Sequence, residues 1–379
     1  MMPRRLLLTA SLLLAGLAQA FTPPPPDIAG RAWLLVDAQS GQTLTAKDEN
    51  TRIEPASLTK LMTAYVTFKA IKEGKLKLDQ QLTVSEKGWK TEGSRMFLDP
   101  KVPATVDDLI KGMIVQSGND ACVTLAEAIA GSEEVFAQVM NKEAKRLGLT
   151  GSNFENSTGL PGANHYMTVR DLEILAQAII KDFPEFYPIY SIKEFRYNNI
   201  NQPNRNLLLY RDPNVDGMKT GHTEAAGYNL VASSKRDGRR LISVVVGTSG
   251  PEVRATESSK LLNWGAQFFE TPKIYTARQA ISQIEVWKGA EDHIGIGFLA
   301  DQYVTVPKGD TQKLKMELHT QQPLIAPLRA GQQIGTVKVS LDGKPLAELP
   351  AVALNDVPEA GFFGRAWDAI RLWFKSLFN

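Results

Sequence analysis

Pro55-Ala56-Ser57-Leu58-Thr59-Lys60-Leu61-Met62-Thr63-Ala64-Tyr65-Val66-Thr67-Phe68 is the stretch that decides how this chain folds. Leu58, Leu61, Met62, Ala64, Tyr65, Phe68 and Ile71 cover much of a helical circumference, which predicts a helix buried inside a lobe. Ser57 then falls in its first turn, where free backbone N–H groups and the positive dipole end favour a developing oxyanion. Lys60 stands one turn on, on the same face, so its amine can accept the Ser57 hydroxyl proton. A chain this long holds roughly one or two Ser-x-x-Lys spacings by chance. The pair therefore needs company before it reads as chemistry.

Two further stretches supply it. Ser117-Gly118-Asn119 lies between a helical pattern from Val106 to Gln116, opened by Thr105 with Asp107 and Asp108 behind it, and a second from about Asp120 to Ala130. Ser117 offers a hydroxyl relay and Asn119 an amide for a substrate backbone. Lys219-Thr220-Gly221 precedes Tyr228 to Ser233 and Leu241 to Val246, two apolar runs joined through Asp237-Gly238 that predict a hairpin. Lys219 and Thr220 offer a cation and a hydroxyl to a carboxylate from a strand edge. Each trio occurs once, in an order that equips a serine acyl enzyme without a histidine base.

Outward from these motifs, Trp33 to Val36 and Thr43 to Thr45 predict a hairpin around Ser40-Gly41, and Glu257 to Phe269 a closing helix. Strands at both ends with helices between imply an α/β (α+β) domain over 21–274: an antiparallel sheet, a helical lobe and a site in the crevice. After Pro272 the pattern changes. Ile284 to Trp287, Leu314 to Leu318 and Val337 to Leu341 alternate at period two, with turns at Lys308-Gly309-Asp310 and Asp342-Gly343. A small all-β domain over 275–356 is expected, in which His293 and His319 are isolated and solvated.

The ends carry different information. Arg4 and Arg5, the apolar run Leu6 to Leu17 and Ala18-Gln19-Ala20 have the layout of a secretory signal over 1–20. Over 357–379, Phe363, Trp367, Ile370, Trp373, Phe374, Leu377 and Phe378 fall on one helical face, with Arg365, Asp368, Arg371 and Lys375 around the other. Such a helix suits the plane of a membrane surface, the competing reading being a terminal helix docked on the core.

Composition narrows the rest. Lys and Arg number 43 against 41 Asp and Glu among 379 residues, so no global field points to nucleic acid. The single cysteine, Cys122, excludes an intramolecular disulfide and a cysteine-rich metal site, and reads as a small buried residue. There is no His-Glu-x-x-His and no Gly-x-Ser-x-Gly elbow. No metal or cofactor is expected.

With these residues on view, the chain resembles the low-molecular-mass penicillin-binding proteins of peptidase S11 type, the D-alanyl-D-alanine carboxypeptidases with a C-terminal membrane anchor. The resemblance rests on Ser57 to Lys60, Gln116 to Ala121, Val215 to Thr223 and Ala226 to Ala232, and extends through the β-domain and closing helix. It implies a transpeptidase/β-lactamase-like catalytic domain that trims the terminal D-alanine from peptidoglycan pentapeptide stems and is acylated by β-lactams, on the periplasmic face of the bacterial inner membrane.

The implied roles are specific. Ser57 is the nucleophile and Lys60 its base, neutral at rest through burial and the nearby charge of Lys219. Ser117 is the relay and Asn119 holds the substrate amide. Lys219, Thr220 and Gly221 face the terminal carboxylate, and His222 lends its main chain to the oxyanion hole with Ser57. Arg254, and with it Arg205, would hold the carboxylate or shape the site. The rivals are a DD-endopeptidase or β-lactamase of the same fold, and a wall-binding scaffold without turnover. A class A β-lactamase needs a glutamate-activated water, and the region of Glu155-Asn156 lacks Glu-x-x-Leu-Asn.

Overall fold

The computed structural model describes residues 23–377, with side chains to 374. Residues 1–20, expected to be a secretory signal, and the Lys375, Leu377 and Phe378 side chains lie outside the described residues.

Five antiparallel strands form the main sheet: β1 (Ala32–Asp37), β2 (Thr43–Lys47), β3 (Val215–Thr223), β4 (Gly227–Arg236) and β5 (Arg239–Thr248). Their order is β2-β1-β5-β4-β3, so the strand carrying Lys219 is an edge, as its sequence suggested. Val231, Ile242, Val244 and Val246 point one way, into the helical lobe; Leu230, Ala232, Leu241 and Val245 point the other. Alternation at period two makes both faces apolar, and both are covered.

The lobe is built around α1 (Lys60–Lys72), buried at Lys60 through Phe68 without interruption. Around it pack α2 (Val106–Lys111), α3 (Asn119–Ala130), α4 (Glu133–Leu147) and α5 (Val169–Asp182). Thr105 caps α2 by accepting from the Asp108 N–H, and Ser132 and Thr168 do the same for α4 and α5. Fully burying Leu61, Met62 and Phe68 stabilises the fold by about 1.5–3 kcal/mol each. The opposite sheet face is closed by α6 (Pro251–Phe268). This helix starts six residues before the Glu257 of the sequence reading, because Gly250 and Pro251 are a cap and a first helical residue.

A second core lies in the C-terminal β-rich unit, among β6 (Ala280–Trp287), β7 (His293–Gly297), β8 (Leu314–Thr320), β9 (Gln333–Leu341) and β10 (Lys344–Ala353). They run in the order β8-β9-β10-β7-β6, with Leu324–Ile325 added parallel to β6. Asp342-Gly343 makes the β9–β10 turn, as expected. Thr305 ties this unit to the sheet: its hydroxyl meets that of Ser40 at 2.6 Å and its carbonyl accepts from Gln42 Nε2 at 3.3 Å. Just ahead of the unit, Thr271 Oγ1 donates to the fully buried Asp37 carboxylate at 2.6 Å. Last comes α7 (Phe362–Leu377). No described helix is long and apolar enough to cross a membrane.

Candidate active site

Ser57 is not in an α-turn. Ala56–Thr59 is a 3-10 turn, and α1 begins only at Lys60. Ala56 sits at a φ of 49°, which tightens the chain ahead of the helix. In a 3-10 turn residues three apart eclipse, and Lys60 Nζ meets Ser57 Oγ at 2.9 Å. Two glycines permit this. A Cβ on Gly159 would stand 1.8 Å from the Ala56 carbonyl oxygen, and one on Gly221 2.9 Å from that of Pro55. Gly221 therefore has a steric role at the nucleophile turn, because β3 runs against it.

Lys60 is 1 % exposed and also donates to the Thr158 carbonyl at 2.7 Å. Burial pushes its amine down to about 8, with Arg205 adding repulsion. Lys219 is held well below the ordinary lysine value by burial, and then by the charges of Lys60 and Arg205. The Lys60–Lys219 repulsion anticipated from sequence thus appears at Lys219, while Arg205 is the cation that acts on Lys60.

Ser117 ends the Val106 pattern in a way the sequence did not reveal. After Lys111 the helix widens into a π-segment, Gly112–Gln116, and Ser117 turns left-handed at a φ of 68°. Single π-turns recur at functional sites. Here one aims Ser117 Oγ at Lys219 Nζ, which donates to it at 2.9 Å. Asn119 is fixed by two bonds: its N–H to the Ser94 carbonyl at 2.7 Å and its amide NH₂ to that of Glu92 at 2.6 Å. Its Oδ1 is buried without a partner, so one acceptor remains for another molecule.

Asp120, 1 % exposed, takes the N–H groups of Met96 and Leu98 at 3.0 and 3.1 Å and thereby anchors the segment that carries Glu92 and Ser94. Neither this carboxylate nor the Thr158 carbonyl was recognised from sequence. The Asp120 identity was visible within the Ser117 stretch, but its long-range partners were not.

Thr220 is 6 % exposed beside Lys219, whereas His222 is exposed and stacks on Tyr228 at 3.9 Å between ring centroids. Arg254, 5 % exposed on α6, donates to the Gly221 and Arg205 carbonyls at 3.3 and 3.4 Å. Burial, then Arg205, lowers it to about 10. Arg205 reaches back to Ser94 Oγ at 2.8 Å. The two arginines thus brace Gly221 and Ser94 around the cleft. Cys122 is fully buried, its thiol donating to the Gly118 carbonyl at 3.1 Å and pushed up to about 12 by burial.

The two serines, two lysines and one asparagine come from the turn before α1, the α2–α3 junction and the edge strand. Glu155 is engaged elsewhere, its Oε2 accepting from the Asn164 N–H at 3.1 Å.

Residues 19–250 match the family model described as D-alanyl-D-alanine carboxypeptidase. The chain belongs to that family. Residues 269–359 match a second model, described as penicillin-binding protein 5, C-terminal domain. Among curated relatives, D-alanyl-D-alanine carboxypeptidase DacC of Escherichia coli is 43 % identical over 93 % of this chain and 92 % of its own. DacA of Haemophilus influenzae is 45 % identical over 94 % and 92 %. The solved structure of penicillin binding protein 5 from Haemophilus influenzae superposes with a TM-score of 0.86 at 44 % identity, covering 89 % of this chain and all of that one. Penicillin-binding protein D2 of Listeria monocytogenes, solved in an ampicillin bound form, is more distant: TM-score 0.60, 28 % identity, covering 65 % of this carboxypeptidase-family chain and 100 % of its own.

Proposed function

We propose that this chain is a serine D-Ala-D-Ala carboxypeptidase that removes the terminal D-alanine of peptidoglycan pentapeptide stems through an acyl-enzyme on Ser57. One observation carries the reading: two lysine–serine contacts of 2.9 Å, Lys60 to Ser57 and Lys219 to Ser117, formed by buried amines whose proton affinity is lowered.

Ser57 Oγ attacks the carbonyl between the two D-alanines while its proton passes to neutral Lys60. The backbone N–H groups of Ser57 and His222 receive the oxyanion. The C–N bond then breaks, and Ser117 relays a proton to the departing amine. Water attacks the resulting ester, Lys60 again taking the proton, and Ser57 is restored. Asn119 Oδ1 holds a substrate N–H. Lys219 and Thr220 receive the terminal carboxylate, and Gly221 lets β3 approach the nucleophile turn. Arg254 and Arg205 brace that edge. β-Lactams acylate the same serine. Glu155, turned toward Asn164, gives no support to a class A β-lactamase water.

The same proposal assigns residues 1–20 to a signal, 21–274 to catalysis, 275–356 to the β-domain and 357–379 to a membrane-surface helix, at the periplasmic face of the inner membrane. The terminal helix supports the last assignment. Asp368 accepts from the Lys288 N–H at 2.7 Å and Arg371 lies 5.0 Å over the Trp287 ring, so its polar side meets the β-unit. Phe363 and Trp367 are 86 % and 63 % exposed. Free D-alanine released from a pentapeptide by the wild type and by Ser57→Ala tests the reaction. The wild type releases it and the variant does not; equal release by both sinks the assignment.

A further inference from the structure

The sheet face covered by α6 holds polar groups that acylation does not use. Ser234 and Arg236 of β4 share it with Arg239 and Leu241 of β5, Ser234 opposite Leu241 and Arg236 opposite Arg239. Directly opposed residues lie about 4.5–5.5 Å apart, so three polar side chains gather at the end of this hairpin. They line a cleft of about 730 Å³ whose apolar surface includes Leu241, Ala266 and Phe269 and whose rim includes Lys308 of the β-rich unit. At about 3.3 Å per residue, Ser234 lies roughly 20 Å along β4 from Tyr228 at the acylation site.

Each of the three carries a buried polar atom without a partner: Ser234 Oγ, Arg236 Nε and Arg239 Nη2. Ser234 is only 3 % exposed. Other atoms of both guanidinium groups are engaged. Arg239 Nε donates to Asp37 at 2.6 Å and Nη1 to the Gly265 and Phe269 carbonyls, both at 2.8 Å; Arg236 Nη2 donates to Asp212 at 2.6 Å and Asn263 at 2.7 Å. The free guanidinium nitrogens can only donate, so the occupant must bring acceptor oxygens. Glu270 also lines the cleft, but its Oε1 accepts from the Gly309 N–H and the Thr311 hydroxyl, and neither of its oxygens bonds the three free atoms. Asp237 in the hairpin turn is the other acid of the lining. The volume is that of a small organic ligand rather than a single ion.

We propose that this cleft is a second binding site, for a peptide carboxylate. Its oxygens accept from Ser234, Arg236 and Arg239, and a small aliphatic side chain rests on Leu241, Ala266 and Phe269. Resting on the carboxypeptidase reading, the natural occupant is the trimmed wall stem, whose new terminus is a D-alanine carboxylate.

Calorimetric titration of the enzyme, its Ser57 site blocked by benzylpenicillin, with N-acetyl-L-lysyl-D-alanine tests this. One equivalent is expected to bind. The peptide's C-terminal amide and inorganic phosphate should each bind at least tenfold more weakly, as should the peptide to Ser234→Ala. Ser234→Ala breaks no existing hydrogen bond, so it folds; Ala266→Trp fills the cleft and should abolish binding. Both variants should release D-alanine at the wild-type rate. No saturable binding, or binding that neither variant alters, overturns the site. Phosphate binding as tight as the peptide's overturns the ligand class. D-alanine release by the unblocked enzyme is read separately, so failure of the carboxypeptidase reading is told apart from failure of this site.

Discussion

Two buried lysines in one cleft cannot both carry a proton cheaply, since burial and mutual repulsion each favour the neutral amine. Lys60, brought down to about 8, is the one placed 2.9 Å from the nucleophile. The sign of the pH effect follows. Below 8 the ammonium form dominates and cannot accept the Ser57 proton, so second-order acylation by benzylpenicillin should rise about tenfold per unit from pH 6 toward 8 and level off above it. Stopped-flow acylation across that range checks this; a rate flat or falling between pH 6 and 8 would exclude Lys60 as the base. Lys60→Arg keeps the charge but removes the accessible neutral form, and should slow acylation by about 10²–10⁴.

At the scale of elements, the nucleophile turn depends on close backbone contact. Gly159 has a φ of 86° and no room for a Cβ, whereas Gly131, at 81°, has nothing within 4 Å of one. Left-handed strain alone costs about 1 kcal/mol, and a backbone clash adds to it. Gly159→Ala should therefore destabilise by about 2–4 kcal/mol and slow acylation, while Gly131→Ala should lose about 1 kcal/mol and leave acylation unchanged. Urea unfolding of both variants separates the two terms; equal losses would mean that the Ala56 contact has no energetic weight.

What could be read from sequence follows the same division. The buried helix, the Asp237-Gly238 hairpin and the Lys219 edge strand were legible because each is a local period or turn signal. The 3-10 turn, the π-segment before Ser117 and the Asp120 bonds to Met96 and Leu98 were not. They are set by packing between residues distant in sequence, and no local pattern encodes them. Arg254 shows the limit well: its identity was noted, but its role behind Gly221 needed the position of α6.

For the whole molecule, the β-rich unit is joined to the catalytic sheet through Thr305, whose hydroxyl meets that of Ser40 at 2.6 Å and whose carbonyl accepts from Gln42 Nε2 at 3.3 Å. The terminal helix sits beyond that unit and presents its aromatics outward. A chain ending at Val357 should thus keep wild-type D-alanine release yet move from the membrane pellet to the soluble fraction. Pelleting of the shortened chain with membranes would remove α7 as the anchor. The most direct test of the catalytic reading is intact mass after benzylpenicillin exposure, followed by peptide mapping. A single adduct on Ser57, absent from Ser57→Ala, is the expected result; an unmodified chain, or an adduct mapped to another residue, would contradict it.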